Sequence, residues 1–199
     1  MTQLIKLNET KSDEMALIHT QSFPNFFLTS LGYHFLSVFY KSIIKDNKSI
    51  CWGIIDDGNL IGFFAASANS SGIYKKIFMR NFLYFSIPLL SVFIKKPHLF
   101  IRMFRSFHST TKHDIPHTCQ SALLSICVLP KFMGMGIGRQ LIEKLEIELA
   151  SQKIFEYYLT TDACSNDLTN KFYKKNGFLF YSAFWQGNRK MNLYIKNIK

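Results

Sequence analysis

Val128-Leu-Pro-Lys-Phe-Met-Gly-Met-Gly-Ile-Gly-Arg-Gln-Leu-Ile142 is the stretch whose reading decides the fold. An apolar strand, Ala122 to Val128, runs into a short glycine-rich turn. The turn opens into a helix with apolar residues at Leu141, Ile142, Leu145, Ile147 and Leu149. Gly134, Gly136 and Gly138 remove side chains where the backbone bends and approaches something closely. The helix directs unpaired N–H groups and the positive end of its dipole at that same place. Together these features make an anion site, most naturally one for a pyrophosphate.

The spacing narrows the choice of pyrophosphate. A dinucleotide fingerprint reads G-x-G-x-x-G, and Arg139 stands where its last glycine belongs. A P-loop needs Gly-Lys-Ser/Thr, which is missing. Met133-x-x-Gly136-x-Gly138 instead resembles the coenzyme A signature of the GNAT acyltransferase superfamily, R/Q-x-x-G-x-G/A. Downstream, Asn166-Asp-Leu-Thr-Asn-Lys-Phe-Tyr173-Lys-Lys-Asn-Gly177-Phe178 is similar to that family's second signature, N-x-x-A-x-x-x-Y-x-x-x-G-F. The resemblance is close over residues 119 to 185 and loose over the N-terminal third.

The rest of the chain reads in the same order of elements. Gln3 to Leu7 is a strand, and a helix runs through Ser22 to a stop at Pro24. Phe27 to Asp46 is helical, with Leu28, Leu31, Phe35, Val38, Phe39 and Ile43 on one face. Strands at Ser49 to Ile55 and Leu60 to Ser67 flank the hairpin signal Asp56-Asp-Gly-Asn59. After Ala122 to Val128 come a helix from Gly136 to Gln152, a strand from Phe155 to Thr161 and a short helix from Asn166 to Asn176. Strands from Gly177 to Phe184 and Lys190 to Ile198 close the chain. The resemblance implies an α/β (α+β) fold: a mixed, mostly antiparallel sheet flanked by helices. Its two central parallel strands, 122–128 and 155–161, splay where coenzyme A enters. The 199 residues are expected to form a single acyltransferase domain with a helical insert, at about 70–118, between the third and fourth strands.

Acyl transfer to an amine needs a neutral nucleophile, donors for the thioester oxygen, a proton for the departing thiolate and firm positioning. The resemblance assigns these tasks by motif position. Main-chain groups of Ile126, Cys127 and Val128 would pair with the pantetheine arm and the acetyl group, and the Val128 N–H would serve the oxyanion. Gly134, Met135, Gly136, Ile137, Gly138 and Arg139 would cradle the pyrophosphate. Asn166 would bond the pantetheine or thioester region, or else act as a helix N-cap. Tyr173 would protonate the sulfur, since a phenol's pKa of about 10 lies near a thiol's of about 8.5. Cys127 reads as a buried strand thiol, not a nucleophile, because the family transfers acetyl directly.

This chain departs from the family at two positions. Met133 replaces Arg or Gln, so one side-chain contact is lost, with Lys131 or Arg139 able to compensate electrostatically. Thr161 stands where some members carry a Glu base five residues before the motif Asn. The base is therefore unassigned among Asp162, His34 and a water chain.

The charge is uneven. Of a net +11, the segment Gly72 to Thr118 carries +7, with eight Lys/Arg against Asp114 alone. Lys75, Lys76 and Arg80 lie in an apolar run from Ile73 to Phe85. Pro88 interrupts the next run, and His98, Arg102 and Arg105 recur on one helical face after Pro97. The uncharged stretch Asn81 to Ile94 falls short of the ~20 residues that a membrane span needs. The insert fits a lid or homodimer contact, or helices lying in a membrane interface. It is too apolar for a nucleic-acid stripe. His108, His113 and His117 with Asp114 and Cys119 match no zinc spacing, so no metal is expected.

Four cysteines without C-x-x-C pairing, in apolar or strand-like contexts, and an N-terminus without a signal-peptide pattern suggest reduced buried thiols in a cytoplasmic protein, peripheral at the inner membrane face if the insert docks there. The implied activity is acetyl-CoA-dependent N-acetylation of a small amine. Phe23-Pro24, Leu31-Gly32-Tyr33-His34-Phe35-Leu36 and Tyr40 resemble a subgroup linked to bacterial surface-polysaccharide assembly, which implies an amino sugar, nucleotide- or lipid-linked. The alternatives are protein or peptide N-acetylation, and an inactive coenzyme A-binding module that docks at a membrane or partner.

Overall fold

In a computed structural model of the chain, which describes residues 2–24, 26–86, 90, 115–116 and 119–198, the apolar runs pair into one sheet. Strands β1 (Gln3–Lys6), β2 (Ser49–Asp56), β3 (Asn59–Ser67) and β4 (Ser121–Val128) follow one another as antiparallel neighbours. The β2–β3 turn carries positive φ at Asp57 (46°) and Gly58 (80°), the requirement of a type I′ hairpin. Beyond β4 lie β5 (Glu156–Asp162), β7 (Arg189–Asn197) and β6 (Leu179–Gln186), giving the order β1-β2-β3-β4-β5-β7-β6. Among the described residues only β4 and β5 are parallel, and they pair at two positions, Ser121 with Tyr157 and Ala122 with Tyr158. Past that point they diverge, as the family resemblance implies.

Helices cover both faces. On one side α1 (Ser12–Ser22), α2 (Phe27–Ser30), α3 (Tyr33–Lys45) and α4 (Ile73–Arg80) bury Met15, Phe35, Phe39, Ile43 and Ile77 against β2–β4. On the other, α5 (Ile137–Ser151) and α6 (Asp167–Lys175) enclose Leu141, Leu145, Tyr157, Tyr173 and Phe178. The helix expected over 27–46 is two helices, because Gly32 takes φ 93° and breaks the run. On α5, Ile147 is 62% exposed, contrary to its expected place on the apolar face. It lies two residues beyond buried Leu145, about 200° around the helix.

The start of the insert belongs to the core. Ile73, Ile77 and Phe85 are buried, the Phe85 ring lying tilted against Phe78 and Phe35 with centroids 4.4 and 5.3 Å away. Lys76 pairs with the buried carboxylate of Asp46. The opposite side of the segment exposes Met79, Phe82, Leu83 and Tyr84. Among the described residues no helix is long and apolar enough to cross a membrane. Pro88, the basic face at His98, Arg102 and Arg105, and His108, His113, Asp114 and His117 lie outside the described residues. Cys51, Cys119 and Cys127 are buried free thiols, whereas Cys164 is exposed and departs from the expectation of buried cysteines.

Candidate active site

A cleft of about 810 Å³ opens where β4 and β5 part. Ile126 and Val128 of β4, Gly134, Gly136, Ile137, Gly138 and Arg139 at the start of α5, and Tyr173 of α6 all line it. Ser22 and Phe23, at the end of α1, line it too; the sequence pointed to Phe23 only through the subgroup resemblance and gave neither residue a place in this cleft.

The turn adopts the conformation its glycines allow. Gly134 and Gly136 take φ 82° and 80°, and a Cβ built on either would meet nothing within 4 Å. Gly136 is the N-cap of α5, and Gln140 is the first residue to bond back, to the Gly136 carbonyl. The N–H groups of Ile137, Gly138 and Arg139 therefore have no intrahelical acceptor and face the mouth of the cleft with the helix dipole behind them. Open space over the turn, positive φ and these donors fit a diphosphate. Arg139 is tied to Glu143 at 2.8 Å, one turn along. Met133 lines the cleft and Met135 is 65% exposed beside it.

On β4 the register sorts the main-chain donors. The Leu129 N–H donates to the Ile61 carbonyl on β3. Main-chain groups alternate along a strand, so those of Cys127 also turn toward β3 and those of Ile126 and Val128 toward the opened edge. The Val128 carbonyl accepts from Ser22 Oγ at 2.9 Å, as that alternation requires. Ile126 and Val128 are thus placed to meet an acyl-pantetheine arm, and Cys127 is not. The Cys127 side chain lies in the core with α1 and α3, its thiol pushed up to about 12 by burial. The β3–β4 register slips between Ala65 and Ala66, leaving Leu124 as the extra residue of a bulge beside the site.

Tyr173 is 7% exposed and lines the cleft. Burial first, and then the nearby Cys127 sulfur, raise its pKa above the ordinary phenol value. The phenol stays protonated and can donate throughout the neutral range. Asn166 precedes α6 but makes no side-chain cap bond. Its amide donates to Thr161 Oγ1 (2.8 Å) and the Asp162 carbonyl (3.2 Å), behind the cleft. Of the base candidates, His34 is exposed at the start of α3. Asp162 is held by the Arg189 guanidinium through two bonds, 2.9 and 2.5 Å, and Arg189 in turn lies 4.8 Å over the Phe26 ring. Both Asp162 oxygens are thus taken up by Arg189 and neither is turned to an acceptor.

The family model for the acetyltransferase (GNAT) family matches residues 13–178. The chain belongs to the GNAT acetyltransferase family. No curated protein matches the sequence. The PaiA N-acetyltransferase of Thermoplasma acidophilum, solved in complex with coenzyme A, superposes with a TM-score of 0.62 at 14% identity, covering 99% of both chains. The ribosomal-protein-S18-alanine N-acetyltransferase of Escherichia coli gives 0.60 at 14% identity, covering 100% of this chain and 95% of that one. An aminoglycoside 6'-acetyltransferase type Ii gives 0.63 at 15%, covering 99% and 97%. This GNAT protein is accordingly an acyltransferase.

Proposed function

We propose that this GNAT protein acetylates the primary amine of a small acceptor, with an amino sugar as the leading candidate. The observation that carries the reading is the meeting of three features in one cleft. These are the helix N-terminus at Ile137–Arg139, the opened edge of β4 at Ile126 and Val128, and the Tyr173 phenol. In this reading the diphosphate sits on the N–H groups of Ile137, Gly138 and Arg139. The pantetheine arm pairs with the β4 edge and the Val128 N–H meets the thioester oxygen, while Asn166, expected to touch the cofactor, instead braces Thr161 and Asp162. Acetyl-CoA supplies the activated acyl group.

As the acceptor nitrogen attacks, the C–S bond breaks and Tyr173 donates toward the thiolate. A raised phenol pKa makes full transfer to a thiolate uphill, so Tyr173 acts best by donating a hydrogen bond as the charge develops. Phe23 at the end of α1 and Phe26 at the start of α2, with the Arg189 guanidinium above Phe26, suit a ring that carries polar or anionic groups. The exposed Met79, Phe82, Leu83 and Tyr84 support a contact role for the insert, against a second copy or a membrane surface. Sedimentation with anionic vesicles and the oligomeric state in solution separate those two.

The test is release of free thiol from acetyl-CoA across a panel of glucosamine, nucleotide-linked amino sugars, polyamines and peptides. Turnover highest with an amino sugar supports the reading. Intact-mass gain on peptides alone would favour protein N-acetylation. Thiol release with none of them would leave a binding module.

A further inference from the structure

His19 sits on the apolar side of α1 and is 2% exposed. Its Nδ1 lies 2.6 Å from Tyr40 Oη on α3. That phenol is 3.0 Å from Ser125 Oγ on β4, and Ser125 Oγ is 3.4 Å from Cys127 Sγ. The sulfur returns to within 4.0 Å of His19 Nδ1, so four polar side chains close into a ring under the cofactor strand. The other imidazole nitrogen, Nε2, is buried without a hydrogen-bond partner. An unpaired buried polar group is destabilising, so one retained here calls for an explanation.

The place of the imidazole supplies it. Ser22 and Phe23, on the next turn of α1, line the cleft, and Ser22 holds the Val128 carbonyl. His19 is therefore one helical turn from the β4 edge that faces the acyl group. The rings of Phe23 and Phe26 stand edge-on to the imidazole, with centroids at 5.3 and 6.2 Å.

We propose that His19 is the general base of the acetyl transfer, its Nε2 taking the proton from the acceptor nitrogen. The proposal deepens the acetyl-transfer reading and rests on it. The Nδ1–H donates to Tyr40, the Tyr40 O–H to Ser125 Oγ, and the Ser125 O–H to Cys127 Sγ. This chain fixes the tautomer that leaves the lone pair on Nε2, and Tyr40 orients the ring as a carboxylate does elsewhere. Around the imidazole, Tyr40 faces it from α3 and Ser125 and Cys127 from β4, all uncharged near neutral pH; Arg189 of β7 lies one layer out, over Phe26. Burial lowers the imidazole pKa to about 4, so the ring is a neutral acceptor throughout the working range.

Nε2 is covered and His19 does not itself line the cleft, so the acceptor must part the Phe23 and Phe26 rings to meet it, which favours a compact primary amine. The step balances. The C–N bond forms and the C–S bond breaks, the nitrogen's proton passes to Nε2, and the departing thiolate is held by the Tyr173 O–H until it takes a proton from solvent. His19 then loses its proton to solvent, so no net proton is gained or lost.

Nitrogen-15 spectra of histidine-labelled protein test this without an acceptor. The signals of His19 are those that vanish in His19→Asn. The expected result is an Nδ1–H tautomer that stays neutral down to about pH 5 and mixes with the other tautomer in Tyr40→Phe. An Nε2–H tautomer would overturn the proposal. In parallel, His19→Asn and His19→Gln should lower the rate of thiol release with glucosamine as probe amine by about 10²–10⁴-fold, with coenzyme A affinity by calorimetry unchanged. Undiminished turnover in both variants counts against His19 alone. Failure of the unsubstituted chain to bind coenzyme A overturns the acetyl-transfer reading, and this proposal with it.

Discussion

A Cβ built on Gly138 would lie 3.0 Å from the Phe172 ring. The contact joins the first turn of α5, whose amides form the anion site, to the helix that carries Tyr173. Gly138→Val would add methyl groups where the ring already sits. The expected outcome is a loss of about 1–3 kcal/mol from overpacking, a fall in Tm of roughly 2–4 °C per kcal/mol, and weaker coenzyme A binding. Thermal melts with and without coenzyme A check it.

Tyr173→Phe removes the donor and keeps the ring. Acetyl transfer should drop by about 10²-fold or more while the Kd for acetyl-CoA stays the same. Because burial holds the phenol above its ordinary pKa, no alkaline limb below about pH 10 should belong to Tyr173. A limb present in the parent protein and abolished in the variant would contradict this assignment.

The Asp162–Arg189 pair bridges β5 and β7 with both side chains mostly covered, 25% and 18% exposed. Arg189→Ala leaves a half-buried carboxylate without its cation. It should cost about 1–3 kcal/mol, less than a fully buried pair would because some solvent remains. Asp162→Asn should destabilise in the same direction yet keep the pH profile of turnover. Urea melts and a pH–rate series measure the two effects.

Asn170 is a buried hub. Its amide donates to the carbonyls of Asp162 (2.9 Å) and Asn166 (2.8 Å), and its Oδ1 accepts from Asn192 and Tyr194, both at 2.9 Å. Asn170→Leu removes all four bonds and leaves the Asn192 amide and the Tyr194 hydroxyl without this acceptor, while the Asp162 and Asn166 carbonyls keep the Asn166 amide and the Asn170 N–H; a loss of roughly 1–3 kcal/mol is expected. Asn170→Asp should recover little of it, since a carboxylate cannot donate to the two carbonyls.

Burial lifts the thiols of Cys51, Cys119 and Cys127 to about 12. An unfolded chain would ionise them near pH 8.5. Between about pH 8.5 and 12 the unfolded state therefore binds fewer protons, and stability falls as pH rises through that window. Below it these thiols cost nothing. Denaturant midpoints at pH 7 and 10 should differ accordingly. A thiol reagent at pH 8 should label Cys164 first and the other three only on unfolding.

Much of this architecture is written locally. The glycine turn, the strand before it, the helix after it and the Asp56–Asn59 hairpin each follow from a few adjacent residues, and their bounds moved by one or two positions. The break at Gly32 was legible in principle, but the apolar spacing from Leu28 to Ile43 ran straight through it. His19 carried a weak signal, a histidine four residues after Met15 on an apolar helix face. Its meaning depends on Tyr40, Ser125 and Cys127, brought to it across up to 108 positions of sequence. The same holds for Arg189, whose tie to Asp162 needs the β5–β7 register. Local chemistry can be read from neighbours in the chain, whereas a network that spans layers requires the packing.

The central claim is that main-chain amides at the start of α5 hold the diphosphate of coenzyme A. Calorimetric titration of coenzyme A into Arg139→Pro and Arg139→Ala tests it most directly. Proline fits the first turn of a helix but deletes one N–H, while alanine deletes the same charge and keeps the amide. The account predicts that the proline variant stays folded and binds at least about tenfold more weakly than the alanine variant, the ~1.4 kcal/mol of one charge-assisted hydrogen bond. Equal affinities, or no binding by the unsubstituted chain, would contradict it.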